Sequence, residues 1–216
     1  MSAARFTYER DPQAIYAQSF ACVTREANLS RFAPDARELA IRVIHACGMV
    51  EIADDLVVTD ACVAAGRAAL AAGRPVLCDA QMVVQGIIRR GRTSALDVRC
   101  TLNDERVPEL AAAIANTRSA AAVDLWESDI AGAIVAIGNA PTALFRLLEH
   151  LRAGWPKPAC VLAFPVGFVG AAESKAALIA SDIGVPYATL PGRRGGSAMA
   201  SAAVNALTIG LDGDRA

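Results

Sequence analysis

The chain has 216 residues, 54% of them hydrophobic and only 5% aromatic, and its 21 basic and 22 acidic side chains leave a net charge of -1. That apolar content excludes a disordered chain, and the lack of any stretch concentrating Lys and Arg argues against a nucleic-acid partner. No run approaches the roughly 20 apolar residues of a membrane span, and the N-terminal "MSAARFTYERDPQAIYAQSF" has no basic region leading into an apolar one, so a cytoplasmic protein without membrane contact is expected.

In chain order, the first section, about residues 11–73, reads as helical. The segment 34–47 has Pro34 near its start, Asp35 and Glu38 in its first turn and Gly48 just past its end, which are helix start and stop signals. The alanine-rich "DACVAAGRAALAAG" then runs into Gly73. From residue 75 a rhythm of strand, turn and amphipathic helix sets in. Strands are predicted at 75–79, 95–100, 133–138, 159–166 and 185–190, and a helix at 141–154, with Asn139 offering a cap, Pro141 an early helical position and Gly154 a stop. Strands alternating with helices imply an α/β three-layer sandwich, a mainly parallel sheet covered by helices on both faces. With no linker, low-complexity tract or fixed period, residues 1–216 are expected to form a single domain. The tail after Leu207 carries no motif.

The six cysteines (22, 47, 62, 78, 100 and 160) show no C-x-x-C spacing, and the only histidines, His45 and His150, lie 105 positions apart, so no metal-ligand set is legible. Cys47 and Cys78 read as buried thiols and not as nucleophiles, since neither sits in a reactive-cysteine signature.

In parallel α/β sheets ligands bind beyond the carboxyl ends of the strands. The turns there, at 79–86, 138–145, 167–175 and 192–200, mostly open on glycine and lead into helices, an arrangement that presents unpaired N–H groups to anions. None is G-x-G-x-x-G or a phosphate loop. Asp79 reads equally as a functional carboxylate or as a cap for the helix after it. Arg118, Arg193 and Arg194 are either partners for ligand carboxylates or solvent-facing.

Helical spacing puts Glu38, Arg42 and His45 on one face of 34–47, away from the stripe of Leu39, Val43, Ala46 and Cys47. Imidazole is the side chain suited to proton transfer near neutral pH, so His45 is either an acid-base group or a hydrogen-bonded core or capping residue. His150, between Glu149 and Arg152, reads as a solvated surface residue.

The segments "AIYAQSF" (14–20), "LSRF" (29–32), "VIHACGMVE" (43–51), "DAQMVVQGI" (79–87), "NTRSAAA" (116–122), "VAIGNAPTALF" (135–145), "PVGFVGAAESK" (165–175) and "GRRGGSAMA" (192–200), taken together and in this order, resemble the precorrin-8X methylmutase family of cobalamin biosynthesis. The resemblance implies a homodimeric α/β isomerase that moves a methyl group from C-11 to C-12 of a tetrapyrrole corrin precursor, without nicotinamide, flavin or methyl donor. It assigns proton donation and recovery to His45, substrate contacts to Ser19 and Arg42, and a weaker substrate role, reaching the partner's site, to Arg118. Rival readings are a non-catalytic corrinoid carrier and an isomerase of phosphosugars or nucleotides. Ala163 and Phe164 depart from the family pattern ahead of "PVGFVG". No residue reads out whether the substrate carries cobalt.

Overall fold

Side chains alternate along the central strands and divide between two cores, as the two-residue period of an extended chain requires. The computed structural model describes residues 6–209. Its first section holds α1 (Pro12–Glu26), α2 (Pro34–Cys47), the two-residue β1 (Val57–Val58) and α3 (Cys62–Ala71). After these come β2 (Val76–Cys78), α4 (Gln81–Gly86), β3 (Val98–Arg99), α5 (Val107–Ala113), α6 (Arg118–Asp124), β4 (Ile134–Ile137), α7 (Pro141–Arg152), β5 (Cys160–Ala163), α8 (Ala171–Ile179), β6 (Tyr187–Thr189) and α9 (Ser197–Leu207).

The strands form one sheet in the order β1-β6-β5-β4-β2-β3. All neighbours are parallel except β1, which pairs antiparallel with β6 through Val57 with Thr189 and Val58 with Ala188. Val76, Cys78, Ile134, Ala136, Cys160 and Leu162 face a core shared with α2, α3, α4 and α9. Leu77, Val135, Ile137, Val161 and Ala163 face the opposite core, closed by α7 and α8. The expected three-layer α/β sandwich is therefore present. All five predicted strands form, each trimmed at its ends. β1 went unanticipated because two residues show no periodicity, and its place on the sheet is fixed by pairing with a strand far away in sequence. The tail beyond residue 209 lies outside the described residues.

α2 runs over Pro34–Cys47 as read from sequence, with Pro34 in its first turn and Gly48 closing it in the left-handed region at φ 70°. Its buried residues Ala36, Leu39, Ala40, Val43 and Ile44 repeat at three and four and pack on α9, whose buried residues include Ala200, Ala202, Ala203 and Ala206. Small side chains on α9 let the two axes approach closely.

The start of α7 corrects one expectation. Asn139 does not cap it; the N-cap position is Ala140, without a side-chain bond. The backbone N–H groups of Gly138, Asn139 and Ala140 donate instead to the carboxylate of Asp79, at 2.8, 3.0 and 2.7 Å. Asp79 thus caps the turn after β4, the neighbour of β2 in the sheet, and not the helix that follows it. Its side chain is buried, and burial pushes the carboxyl above the ordinary range in spite of the three donors. Removing it strands three N–H groups that cost about 1–3 kcal/mol each when unsatisfied. Asp79→Ala should lower unfolding stability by about 3 kcal/mol, read as a lower urea midpoint, while Asp79→Asn, which keeps an acceptor oxygen, should lose less.

Candidate active site

Because α2 buries its apolar stripe on α9, Glu38, Arg42 and His45 turn outward toward α1. Asp11 starts α1 by accepting the N–H of Gln13 at 3.0 Å, with Pro12 in the first turn. α1 lies on α2 and buries only Val23, so its contacts with the outer stripe of α2 are made by half-exposed side chains.

Those contacts surround the imidazole. Ser19 Oγ lies 2.8 Å from His45 Nδ1. The Tyr16 ring is 5.6 Å from the His45 ring, tilted by 34°, and the Phe20 ring meets it edge to face at 5.2 Å and 83°. Arg42 sits over the Phe20 ring at 5.2 Å, and its Nε donates to Glu38 Oε1 at 3.0 Å. His45 is nevertheless exposed, so the reading of a buried core histidine is excluded.

His45 and Arg42 open into a cleft of about 550 Å³, within the usual range for small-molecule sites. Its opposite wall is α9, through Ser197, Ser201 and Asn205, with Met82 and Ile88 at the side. Spaced at four, these three polar residues form one stripe on an otherwise apolar helix. Asn205 accepts the N–H of Ile88 at 2.8 Å and donates to the carbonyl of Gly86 at 3.0 Å, which pins the segment after α4 to the cleft edge. Tyr16, Phe20 and the α9 stripe were missed as site residues in the sequence. The available signal was polar residues at 197, 201 and 205 within an alanine run.

Of the four turns, those leading into α4 and α9 contribute to this cleft. The turn at 138–140 has its N–H groups taken by Asp79 and offers none to an anion. The turns at 166–168 and 193–195 line a separate cleft of about 310 Å³, with Arg193 over the Phe168 ring at 5.3 Å. Arg194 pairs with Asp55. Arg118 is remote from this cleft within the chain; its guanidinium donates to the carbonyl of Leu102 at 3.1 Å.

The segment matches found in the sequence have a counterpart across the whole chain, which matches the family described as Precorrin-8X methylmutase over residues 14–209. The chain belongs to the precorrin-8X methylmutase family. A relative named precorrin-8X methylmutase from Pseudomonas aeruginosa is 60% identical over 93% of this chain and 96% of its own length. One of the same name from Sinorhizobium is 56% identical over 94% and 96%. A cobalt-precorrin-8 methylmutase from Salmonella typhimurium is 39% identical over 94% and 98%. A crystal structure titled precorrin-8x methyl mutase from Thermus thermophilus superposes with a TM-score of 0.83 at 37% identity, covering 94% of this chain and 100% of that one. Membership makes this chain an enzyme of the methylmutase class.

Other residues considered from sequence fall outside the cleft beside His45. His150 is not solvated: it stacks on Trp155 at 3.8 Å and 9°, with Nε2 2.5 Å from Asp124 Oδ1, and Arg146 holds the same carboxylate at 2.6 and 3.0 Å. This network ties α6 to α7. Burial raises the thiols of Cys47 and Cys78, which keeps both protonated and poorly nucleophilic. Lys175, unremarked in the sequence, is fully buried in α8 and donates to the carbonyl of Arg194 at 2.6 Å, holding the glycine turn that leads into α9.

Burial, helped by Arg194, brings the Lys175 ammonium from the ordinary 10.5 down to about 8. Between these values the unfolded chain holds the proton and the folded one releases it, so stability rises with pH in that window and is flat below it. Relative to Lys175→Met, the natural chain should gain on the order of 2 kcal/mol between pH 8 and 10.5, measured by denaturant unfolding of both proteins across that range.

Proposed function

We propose that the protein is an isomerase that moves the methyl group of precorrin-8X from C-11 to C-12, giving hydrogenobyrinate, with His45 as proton donor and acceptor. The observation that carries the reading is the Ser19 hydroxyl 2.8 Å from His45 Nδ1 beside an open cleft. A hydroxyl both donates and accepts, so Ser19 supports the imidazole in either protonation state and leaves Nε2 for the ligand. The family resemblance makes Ser19 a substrate contact; its bond to His45 adds the role of orienting the ring. Protonation of a ring nitrogen draws electron density from the conjugated system. The methyl group then leaves C-11, bonds to C-12, and His45 recovers the proton, with no change in mass. Arg42, held by Glu38, suits a peripheral carboxylate.

Incubation with precorrin-8X, followed by absorption and mass spectrometry, should give an isomer of unchanged mass with a new chromophore. His45→Ala should fold and lose about 10²- to 10⁴-fold in turnover, the usual worth of general acid-base help; full activity in that variant would overturn the role. A carrier would leave the chromophore unchanged. The metal-free substrate is favoured because relatives named for it are 60% and 56% identical, against 39% and 35% for two named for the cobalt form. Turnover should accordingly be faster with the metal-free precursor than with the cobalt-loaded one.

The working unit we infer is a homodimer of single-domain chains. One sheet anchors the described helices, which supports one domain. Arg42 is the sole cation among the described residues lining the cleft, too few for a substrate with many carboxylates, and exposed Tyr16, Met82 and Ile88 flank it. A second copy covering this face brings further cations, with Arg118 the candidate. The described cysteines are all free, which suits a reducing cytoplasm, and no helix of the described residues is long and apolar enough to cross a membrane. Arg118→Ala should lower turnover, and mixing it with His45→Ala and allowing subunits to exchange should restore about a quarter of the sites, as expected for random exchange in a twofold dimer. No recovery would remove Arg118 from the partner's site.

A further inference from the structure

We propose that Phe20 is a positioning residue for the methylmutase reaction: one aromatic ring sets the placement of both His45 and Arg42. The inference rests on the acid-base reading of His45 given above. Phe20 follows Ser19 on α1 and is half-buried between α1 and α2. Its ring meets the His45 imidazole edge to face at 5.2 Å and 83°, and carries the Arg42 guanidinium at 5.2 Å from its centroid. Tyr16, one turn earlier, meets the Phe20 ring at 6.0 Å and 81°, which limits its rotation.

His45 and Arg42 are three residues apart on α2, and neither is held by packing into the core. Among the described residues the imidazole has a single hydrogen bond, to Ser19, and one bond leaves a ring free to swing about it. The guanidinium is fixed at Nε by Glu38, which leaves the tilt of its plane open. An aromatic face removes the remaining freedom of both. It attracts the cation through its quadrupole and prefers the perpendicular ring approach seen here. An aliphatic side chain of similar volume fills the space but supplies neither preference.

The decisive comparison is Phe20→Leu, which keeps bulk and removes the ring, against Phe20→Tyr, which keeps the ring. Both should retain the far-ultraviolet spectrum and urea midpoint of a folded protein, since the site is only half-buried. With two histidines in the chain, the imidazole CH signals are assignable from the spectrum of His45→Ala. In Phe20→Leu the His45 signals should move and broaden while those of His150 stay in place. On precorrin-8X, Phe20→Leu should raise KM through Arg42 and lower kcat through His45, with kcat/KM down by about 10- to 100-fold, the scale of a misplaced catalytic group. Phe20→Tyr should keep most of the activity and the natural His45 signals.

Unmoved His45 signals, or natural kinetics in Phe20→Leu, would overturn the proposal, as would a Phe20→Tyr protein as impaired as Phe20→Leu. If the natural protein leaves precorrin-8X unchanged, the functional reading fails and the reaction role assigned to Phe20 fails with it. The spectra would then still decide whether the ring orients His45.

Discussion

The packing of α2 on α9 is the constraint from which the site follows. Each helix is two-sided. The apolar stripe of α2, from Ala36 to Ile44, is buried against the small residues of α9, and burial on that scale, at about 25 cal/mol per Å² of apolar surface, fixes the rotation of α2 about its axis. Once that rotation is set, Glu38, Arg42 and His45 have no choice of direction. The same argument applied to α9 turns Ser197, Ser201 and Asn205 toward the cleft. The two walls of the site are therefore the outer faces of two helices whose inner faces are the core, and their placement is as rigid as the core itself.

The third wall is held differently. α1 buries little and is joined to α2 by polar and aromatic contacts: the Ser19 to His45 bond, the Phe20 ring shared by His45 and Arg42, and Tyr16 beside them. Such contacts are directional and individually modest, so α1 is the wall that depends most on the site residues. Stability and orientation are thus assigned to separate interactions within one short stretch of structure, the first to the α2–α9 contact and the second to the α1–α2 contact.

Much of this was legible in the sequence because it is local. Pro34 and Gly48 bound α2, the spacing of 38, 42 and 45 gives its outer face, and the β-rich runs from residue 75 give five of the six strands. What escaped depends on contacts between distant residues. Asp79 could be read as an acid or a cap, but its three donors lie some 60 positions away, and the turn it caps had seemed free to bind anions. His150 had looked solvated because Trp155 and Asp124 were not visible as its partners. β1 exists only through its pairing with β6. At the site, Ser19 and Arg42 came from family resemblance, whereas Tyr16 and Phe20 are half-exposed aromatics whose role appears only when α1 is laid on α2. Arg118 came from resemblance as well, and within one chain it stands apart from the cleft, bonded to the carbonyl of Leu102.

The stripe of Ser197, Ser201 and Asn205 on a helix whose other side is packed into the core and rich in alanine has an evolutionary corollary. Substitutions on the alanine side enlarge a side chain in a space already filled and are removed by selection against unfolding. Those on the polar side are not equivalent: a change at half-exposed Ser197 alters what the cavity accepts, whereas Ser201 is buried and Asn205 holds the segment after α4. Ligand preference can therefore drift most readily at position 197, while a change at 201 or 205 has to wait for a compensating repair at the end of α4.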